Sequence, residues 1–517
     1  MRRFTLISLL SMVVFLVVAC RQDADDYDRR GLVDPQCAHL ENLDEHWQPV
    51  WCDEFDVDGL PDPSRWGYDV GGHGWGNNEL QYYTDANINN AFIQDGRLHI
   101  QAVHESFGGS DYTSARLVSK YYGDWLYGRI QVSAKMPSGT GTWPAIWMLP
   151  TDWVYGGWPY SGEIDIMEYV GYDPGVVHGT IHTGALNHML NTQVGFRKNV
   201  PTAETDFHVY EMIWEPAQIR LYIDGEQFAT FGFNPHHHID RPTQDLWPFD
   251  QRFHLILNLA VGGNWGGVRG VDPNAFPTAM EIEYVRVYQK DYASLDAAPP
   301  TPPTQLTEQF VTHDAARVYW THGTDDVMIR HYNLYVDGTR VGQTTVNAHK
   351  FEGLTPGRRH VLEIEAEDFA GNKSSRVGLA VETEPYRLAT ERVDAAQYDA
   401  FSGIRLEPTQ DVGGGEHVTD IASGDWIEYL LEIPESGSYR VHYRVASDIE
   451  SGRLAIHFMP QALQRFVIDI PNTGSTQNFM TVTSDSMHVN AGFYRVRVRA
   501  INGGFNLNWL EFERLSE

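Results

Sequence analysis

The chain has 517 residues, too many for one ordinary core, so several domains are expected. A formal net charge of −31 and a pI near 5.0 exclude a nucleic-acid partner, because phosphates would be repelled. They also disfavour acidic polymers and suit a neutral substrate, while serving equally to keep an extracellular protein soluble.

The chain opens with Met1-Arg2-Arg3, a basic start, followed from Phe4 to Ala19 by an apolar run. The run is too short for a comfortable membrane span and right for a secretion signal. It ends in LVVAC, which resembles a bacterial lipobox. Residues 1–20 are therefore expected to be a lipoprotein signal, with Cys20 carrying the lipid as the sole membrane contact. Arg21 after the cysteine fits an outer-membrane or cell-surface location; ordinary cleavage nearby is the alternative. Cys37 and Cys52 remain, and could form one disulfide in an oxidising compartment. Residues 21–45 are polar and read as a tether.

From 46 to 290 the chain is rich in Trp, Tyr and Gly, with alternating runs such as RLHIQAV, GRIQVSAKM and IRLYIDG between turn residues. That is strand periodicity without long helical segments, so the fold class is all-β, a sandwich or jelly roll. A Pro-rich linker follows at 291–304. Residues 305–386 (ARVYWTHG, IRHYNLYVDGTRVG, FEGLTPGRRHVLEIEAEDFAGNKS) resemble a fibronectin type III sandwich with Trp320 and Leu354 in its core. His360 stands where a corner tyrosine is usual. Residues 387–517 read as a further β-sandwich, with DWIEYLLEI, GSYRVHYRVAS and FNLNWLEFE as strands.

SGEIDIMEYVG, at 161–171, concentrates the chemistry. Strand parity puts Glu163 and Asp165 on one face and Ile164 on the other. Glu168 lies at an odd offset and joins its fellow acids only if a β-bulge near Ile166-Met167 adds a residue, with Met167 filling the bulge. Three acids in a row destabilise a sheet unless their protonation states are split. A retaining glycosidase needs such a split between two carboxyl groups about 5–5.5 Å apart. On that reading Glu163 is the nucleophile, Asp165 the assisting acid and Glu168 the acid/base. The triplet alone leaves open an acidic edge strand or a calcium site built from carboxylate oxygens.

The surrounding motifs decide. VWCDEFD, GWGNNELQYYT, YTSARL, GTWPAIWMLP, GEIDIMEYVG, GTIHT, LILNLAVGGNWGG and EYVRVYQ occur in the order found in glycoside hydrolase family 16, and the domain is most similar to the laminarinase branch. The resemblance implies a jelly roll with the acids in a cleft, and Glu163, Asp165 and Glu168 at the catalytic positions. It places Asn78, Arg116, Trp143, Trp147, His182, Asn258 and Trp265 beside the sugar subsites. It implies no catalytic cofactor, and one structural Ca2+ held by Glu54, Gly96 and Glu283, the last standing where Asp is usual. The histidines 236–238 read as an exposed loop.

The C-terminal stretch resembles a family 6 carbohydrate-binding module, with Glu407, Phe479 and Asn506 at positions that contact sugar in such modules. The expected protein is thus a monomeric, surface-anchored endo-β-1,3-glucanase acting on β-glucan by a retaining mechanism. The alternatives are a same-fold hydrolase of mixed-linkage glucan or a galactan, and a catalytically silent glycan-binding lipoprotein.

Overall fold

The computed structural model describes residues 34–43, 46–450, 452–459 and 463–516. The expected signal and lipidated Cys20 lie outside them. Among the described residues no helix is long and apolar enough to cross a membrane. The chain is all-β and divides into two compact units.

The first unit comprises 1–301, 323–332 and 366–374. It is built on two large sheets, antiparallel except where Gln81–Tyr83 pairs with Ser110–Ser114. The first, of ten strands, runs from Glu226–Gly232 through Gln218–Ile223, His208–Glu215, Gly128–Lys135 and Thr278–Lys290 to Arg97–Phe107, Ser110–Ser114 and Gln81–Tyr83. Its strands alternate as a half-buried sheet should: in Gln218–Ile223, Ile219, Leu221 and Ile223 are buried while their neighbours are half-buried.

The second sheet, of eight strands, carries the acids. It runs Val194–Asn199, Val176–His182, Glu163–Tyr169, Thr142–Pro150, Phe253–Val261, Arg116–Val118, Gly67–Tyr68. Phe253–Val261 is buried along its whole length, as its unbroken run FHLILNLAV anticipates. Trp66 and Trp214 are nearly fully buried, and Trp51 meets Trp66 and Trp125 edge-on at 5.4 and 5.5 Å. Cys37 and Cys52 form a disulfide, Cα–Cα 5.7 Å, which fastens the turn Pro35–Cys37 to the strand Trp47–Asp53. Arg65, 5 % exposed, holds the same turn through Asp34 at 2.6 Å.

The second unit comprises 302–322, 333–365 and 375–517. A smaller sandwich, whose strands Ile329–Val336 and Arg359–Asp368 each have one end in the first unit, has a three-stranded sheet (Thr304–Val311, Ala315–Thr321, Ala348–Glu352) and a four-stranded one (Thr339–Thr344, Ile329–Val336, Arg359–Asp368, Val377–Glu382). Trp320 and Leu354 are buried, and His360 Nδ1 pairs with Asp337 Oδ2 at 2.8 Å. The C-terminal sandwich has sheets of six and seven strands around a core that includes Tyr429, Tyr443, Leu454, Val496 and Phe512.

Candidate active site

The strand Glu163–Tyr169 lies between Thr142–Pro150 and Val176–His182. Its register slips within the acid motif. Against the first neighbour, Asp165 faces Trp147 and Met167 faces Ile146, so Ile166 is the extra residue. Against the second, Asp165 faces Thr180 and Glu168 faces His178, so Ile166 and Met167 together oppose Gly179. The bulge returns Glu168 to the face of Glu163 and Asp165, and Ile164, Ile166 and Met167 are buried. The bulge falls at Ile166-Met167, where it was expected, with Ile166 the extra residue against Thr142–Pro150. Gly179 opposite it is tightly packed: a Cβ there would lie 2.4 Å from Leu221 Cδ1.

Residues directly opposed across strands share a face. Glu168, Ala145, Asn258 and Arg116 therefore form one row across the sheet, and Asp165 and Trp147 belong to the next. Glu163 opposes His182. His182 Nε2 lies 3.6 Å from Glu163 Oε1 and 3.4 Å from Asp165 Oδ2. Trp158 Nε1 donates to Glu163 Oε2 at 3.0 Å, and Trp143 Nε1 donates to Glu168 Oε1 at 3.2 Å. Asp165 is 3 % exposed, and its Oδ2 receives no hydrogen bond.

Burial raises the pKa of all three acids, each to about 8. The Asp165 charge adds to the rise of Glu163 and Glu168, while His182 opposes it at both. Trp158 favours the ionised form of Glu163, and Trp143 that of Glu168. The three acids are close enough that a proton on Asp165 favours the ionised form of its neighbours. One ionised and one protonated carboxyl on the same face is what displacement at a sugar's anomeric carbon requires. Glu163, Asp165 and His182 also lie close enough to hold a metal ion. A histidine nitrogen among them suits calcium, which takes oxygen ligands, poorly.

The expected subsite residues gather here, several of them bound to one another. Arg116, 8 % exposed, lies over Trp75 at 4.6 Å and Trp147 at 4.7 Å, with its Nε on Asp69 at 3.0 Å. Trp147 Nε1 donates to Asn258 Oδ1 at 2.7 Å, and Asn258 Nδ2 donates to Tyr83 Oη at 3.0 Å. Arg116 and Asn258 thus brace the floor. Trp143 and Trp265 meet edge-on at 5.5 Å and remain half-exposed, and His178 adds a further edge at 5.0 Å. Asn78 is exposed and donates to Asn264 at 2.8 Å.

Trp158 was not anticipated. Its signal is its place five residues before Glu163, in the Gly-flanked loop GGWPYSG. His178 and the half-buried Glu79, which accepts from Gln81 at 2.6 Å and Tyr83 at 3.3 Å, are likewise additions.

Other expected positions lie outside this cluster. Both oxygens of Glu54 accept from Arg286, at 2.8 and 2.7 Å, and Glu283 accepts from Ser133 at 2.8 Å. The Glu54 carboxylate is thus engaged with a guanidinium, which leaves the backbone carbonyls of Glu54 and Gly96 as the oxygens these two positions offer a cation. In the C-terminal sandwich, Phe479 (8 % exposed) and Asn506 (4 %) are buried. Phe479 packs edge-on against His417 at 5.2 Å; Asn506 Nδ2 lies 2.9 Å from His417 Nε2 and donates to the Thr476 carbonyl at 2.8 Å. Glu407 opposes His417 across the pair of strands and is half-buried. The histidines 236–238 are exposed, as expected.

Comparison with known proteins follows the same lines. The family profile "Glycosyl hydrolases family 16" matches residues 75–286. "Carbohydrate binding module (family 35)" matches residues 402–512, in place of the family 6 module expected. The chain is 28% identical to the clotting factor G alpha subunit of Tachypleus tridentatus, over 93% of this chain and 77% of that one. It is 40% identical to glucan endo-1,3-beta-glucosidase A1 of Niallia circulans, over 47% of this chain and 38% of that one. With the beta-glucanase of Rhodothermus marinus it shares 57% identity over 47% of its own length and 86% of the relative's. At that identity and coverage, with the bulged acid strand in place, the chain belongs to glycoside hydrolase family 16.

Proposed function

We propose that the protein is a retaining endo-glycosidase that hydrolyses internal β-1,3-glucosidic bonds of laminarin-type β-glucans. The observation that carries the reading is the bulge at Ile166, which sets Glu163 and Glu168 on one face with a tryptophan N–H on each. Glu163 attacks the anomeric carbon while Glu168 protonates the leaving glycosidic oxygen. The bond from carbon to that oxygen breaks as the glycosyl ester forms. Glu168, now ionised, takes a proton from water, and the water's oxygen displaces Glu163. The Trp158 N–H favours the ionised Glu163, as a nucleophile needs. Asp165 holds a proton beside it, and His182 Nε2 lies 3.6 Å from Glu163 Oε1 and 3.4 Å from Asp165 Oδ2. Half-exposed Trp143 and Trp265 offer faces to pyranose C–H groups.

The C-terminal module would hold the enzyme on glycan and raise its local concentration on an insoluble polymer. The fibronectin-like sandwich would act as a spacer. The lipobox-like LVVAC supports attachment to the bacterial outer membrane or cell surface through Cys20.

The test is Glu163→Gln, assayed for reducing ends on laminarin, curdlan, lichenan and agarose. The parent should prefer the β-1,3-linked polymers. The variant should lose at least ~10³-fold while still binding laminarin. Near-parental hydrolysis by the variant would refute the assignment. Faster cleavage of lichenan or agarose by the parent would reassign the substrate.

A further inference from the structure

Four aspartates converge in the first unit, away from the acid strand. Asp296 follows the short helix Tyr292–Leu295, its amide donating to the Tyr292 carbonyl at 3.0 Å. Asp325 and Asp326 lie in the loop between the strands Ala315–Thr321 and Ile329–Val336, and Asp368 ends the strand Arg359–Asp368. One carboxylate oxygen from each of Asp296, Asp325 and Asp326 lies within 4.8 Å of the others.

Crowded acids at a surface are unremarkable, but these include buried oxygens without partners. Asp296 is 8 % exposed, and neither of its carboxylate oxygens has a hydrogen-bond partner. Asp368 is fully buried; Oδ1 accepts from the Asn372 amide at 2.8 Å, while Oδ2 is unpartnered. Asp325 repeats the pattern. Its Oδ2 accepts from the Val327 and Met328 amides at 3.0 and 2.7 Å, and its buried Oδ1 has no partner. In both residues backbone amides fix one oxygen and leave the other free.

The charges acting most strongly on Asp296 are those of Asp325, Asp368 and Asp326, all repulsive. With burial as the larger cause, they push its pKa up to about 6; the nearby Ala298 amide, which completes no hydrogen bond to it, pulls the other way. Buried carboxylates left unpaired are destabilising, and a hard cation offsets that cost. The donor set is all oxygen, which suits calcium at six to eight ligands and offers zinc or copper no nitrogen or sulfur.

We propose that Asp296, Asp325, Asp326 and Asp368 form a calcium site that fastens the segment after the short helix to the loop before Ile329 and the turn after Asp368. This set is distinct from Glu54, Gly96 and Glu283, and it lies outside the residues assigned to hydrolysis. Its role is stability.

The full chain, stripped with EDTA, is titrated with Ca2+ by calorimetry and followed by thermal unfolding. The parent should bind Ca2+ and unfold at a higher temperature with it. Asp326→Asn, at an exposed position, should weaken binding at least tenfold. Asp296→Asn should show a reversal of sign: more stable than the parent in EDTA, because a repulsive charge is gone, and less stable in Ca2+. Laminarin hydrolysis at low temperature should be unchanged in both variants. A Ca2+ response of equal size in parent and variants, or none in the parent, would overturn the proposal.

Discussion

At Asp165 a buried carboxyl lies between two others, 3.4 Å from a histidine nitrogen, with one oxygen lacking any hydrogen bond. Its folded pKa lies near 8, against 3.8 for the free side chain. The native state therefore binds the proton more tightly than the unfolded chain does. The stability this confers is fully present below about pH 4 and is lost as pH rises towards 8. Asp165→Asn, which mimics the protonated form, should raise Tm at pH 8 by about 2–4 °C, and by little at pH 4. Thermal unfolding of both proteins across that range measures it; a Tm lowered equally at both ends would contradict the account. Residue type alone gave the three acids their place, through strand parity. It could not reveal Trp158, whose contact with Glu163 depends on how a Gly-flanked loop folds back. Nor could it show that Phe479 and Asn506 are buried, or that Glu54 faces Arg286, since each depends on a partner distant in sequence.

At the scale of the strand, the bulge is what joins sequence to chemistry. SGEIDIMEYVG implied that a regular strand would turn Glu168 away, and the register shift at Ile166 supplies the correction. The same parity makes a second statement. With Ile166 deleted, Glu168 would stand two positions after Asp165 on a regular strand, again on the catalytic face. Such a deletion should therefore keep measurable hydrolysis, with a loss under ~100-fold, whereas removing the acid by Glu168→Gln should cost about 10²–10⁴-fold. Initial rates on laminarin, with circular dichroism to verify folding, compare the two. A folded deletion variant as inactive as Glu168→Gln would show that the bulge does more than set parity. Opposite the bulge, Gly179 has no side chain, which leaves room for Leu221. No pattern in the acid strand itself discloses that.

For the whole molecule, alternation and turn residues were enough to read an all-β chain, because half-buried strands carry that period in their side chains. The eight ordered motifs carried the catalytic family. The C-terminal sandwich was legible as a fold, while its family was not, since core patterns such as those around Tyr429 and Tyr443 specify a sandwich and not a ligand. The four-aspartate cluster was invisible for a related reason: its members are up to 72 positions apart and meet only in the folded chain. The central claim remains that Glu163 and Glu168 act from one face through a covalent glycosyl-enzyme. It is tested most directly by proton NMR of the anomers released in the first moments of laminarin hydrolysis. Double displacement predicts that the new reducing ends appear first as the β-anomer and only later mutarotate; an initial α-anomer would mean single displacement and would contradict the account.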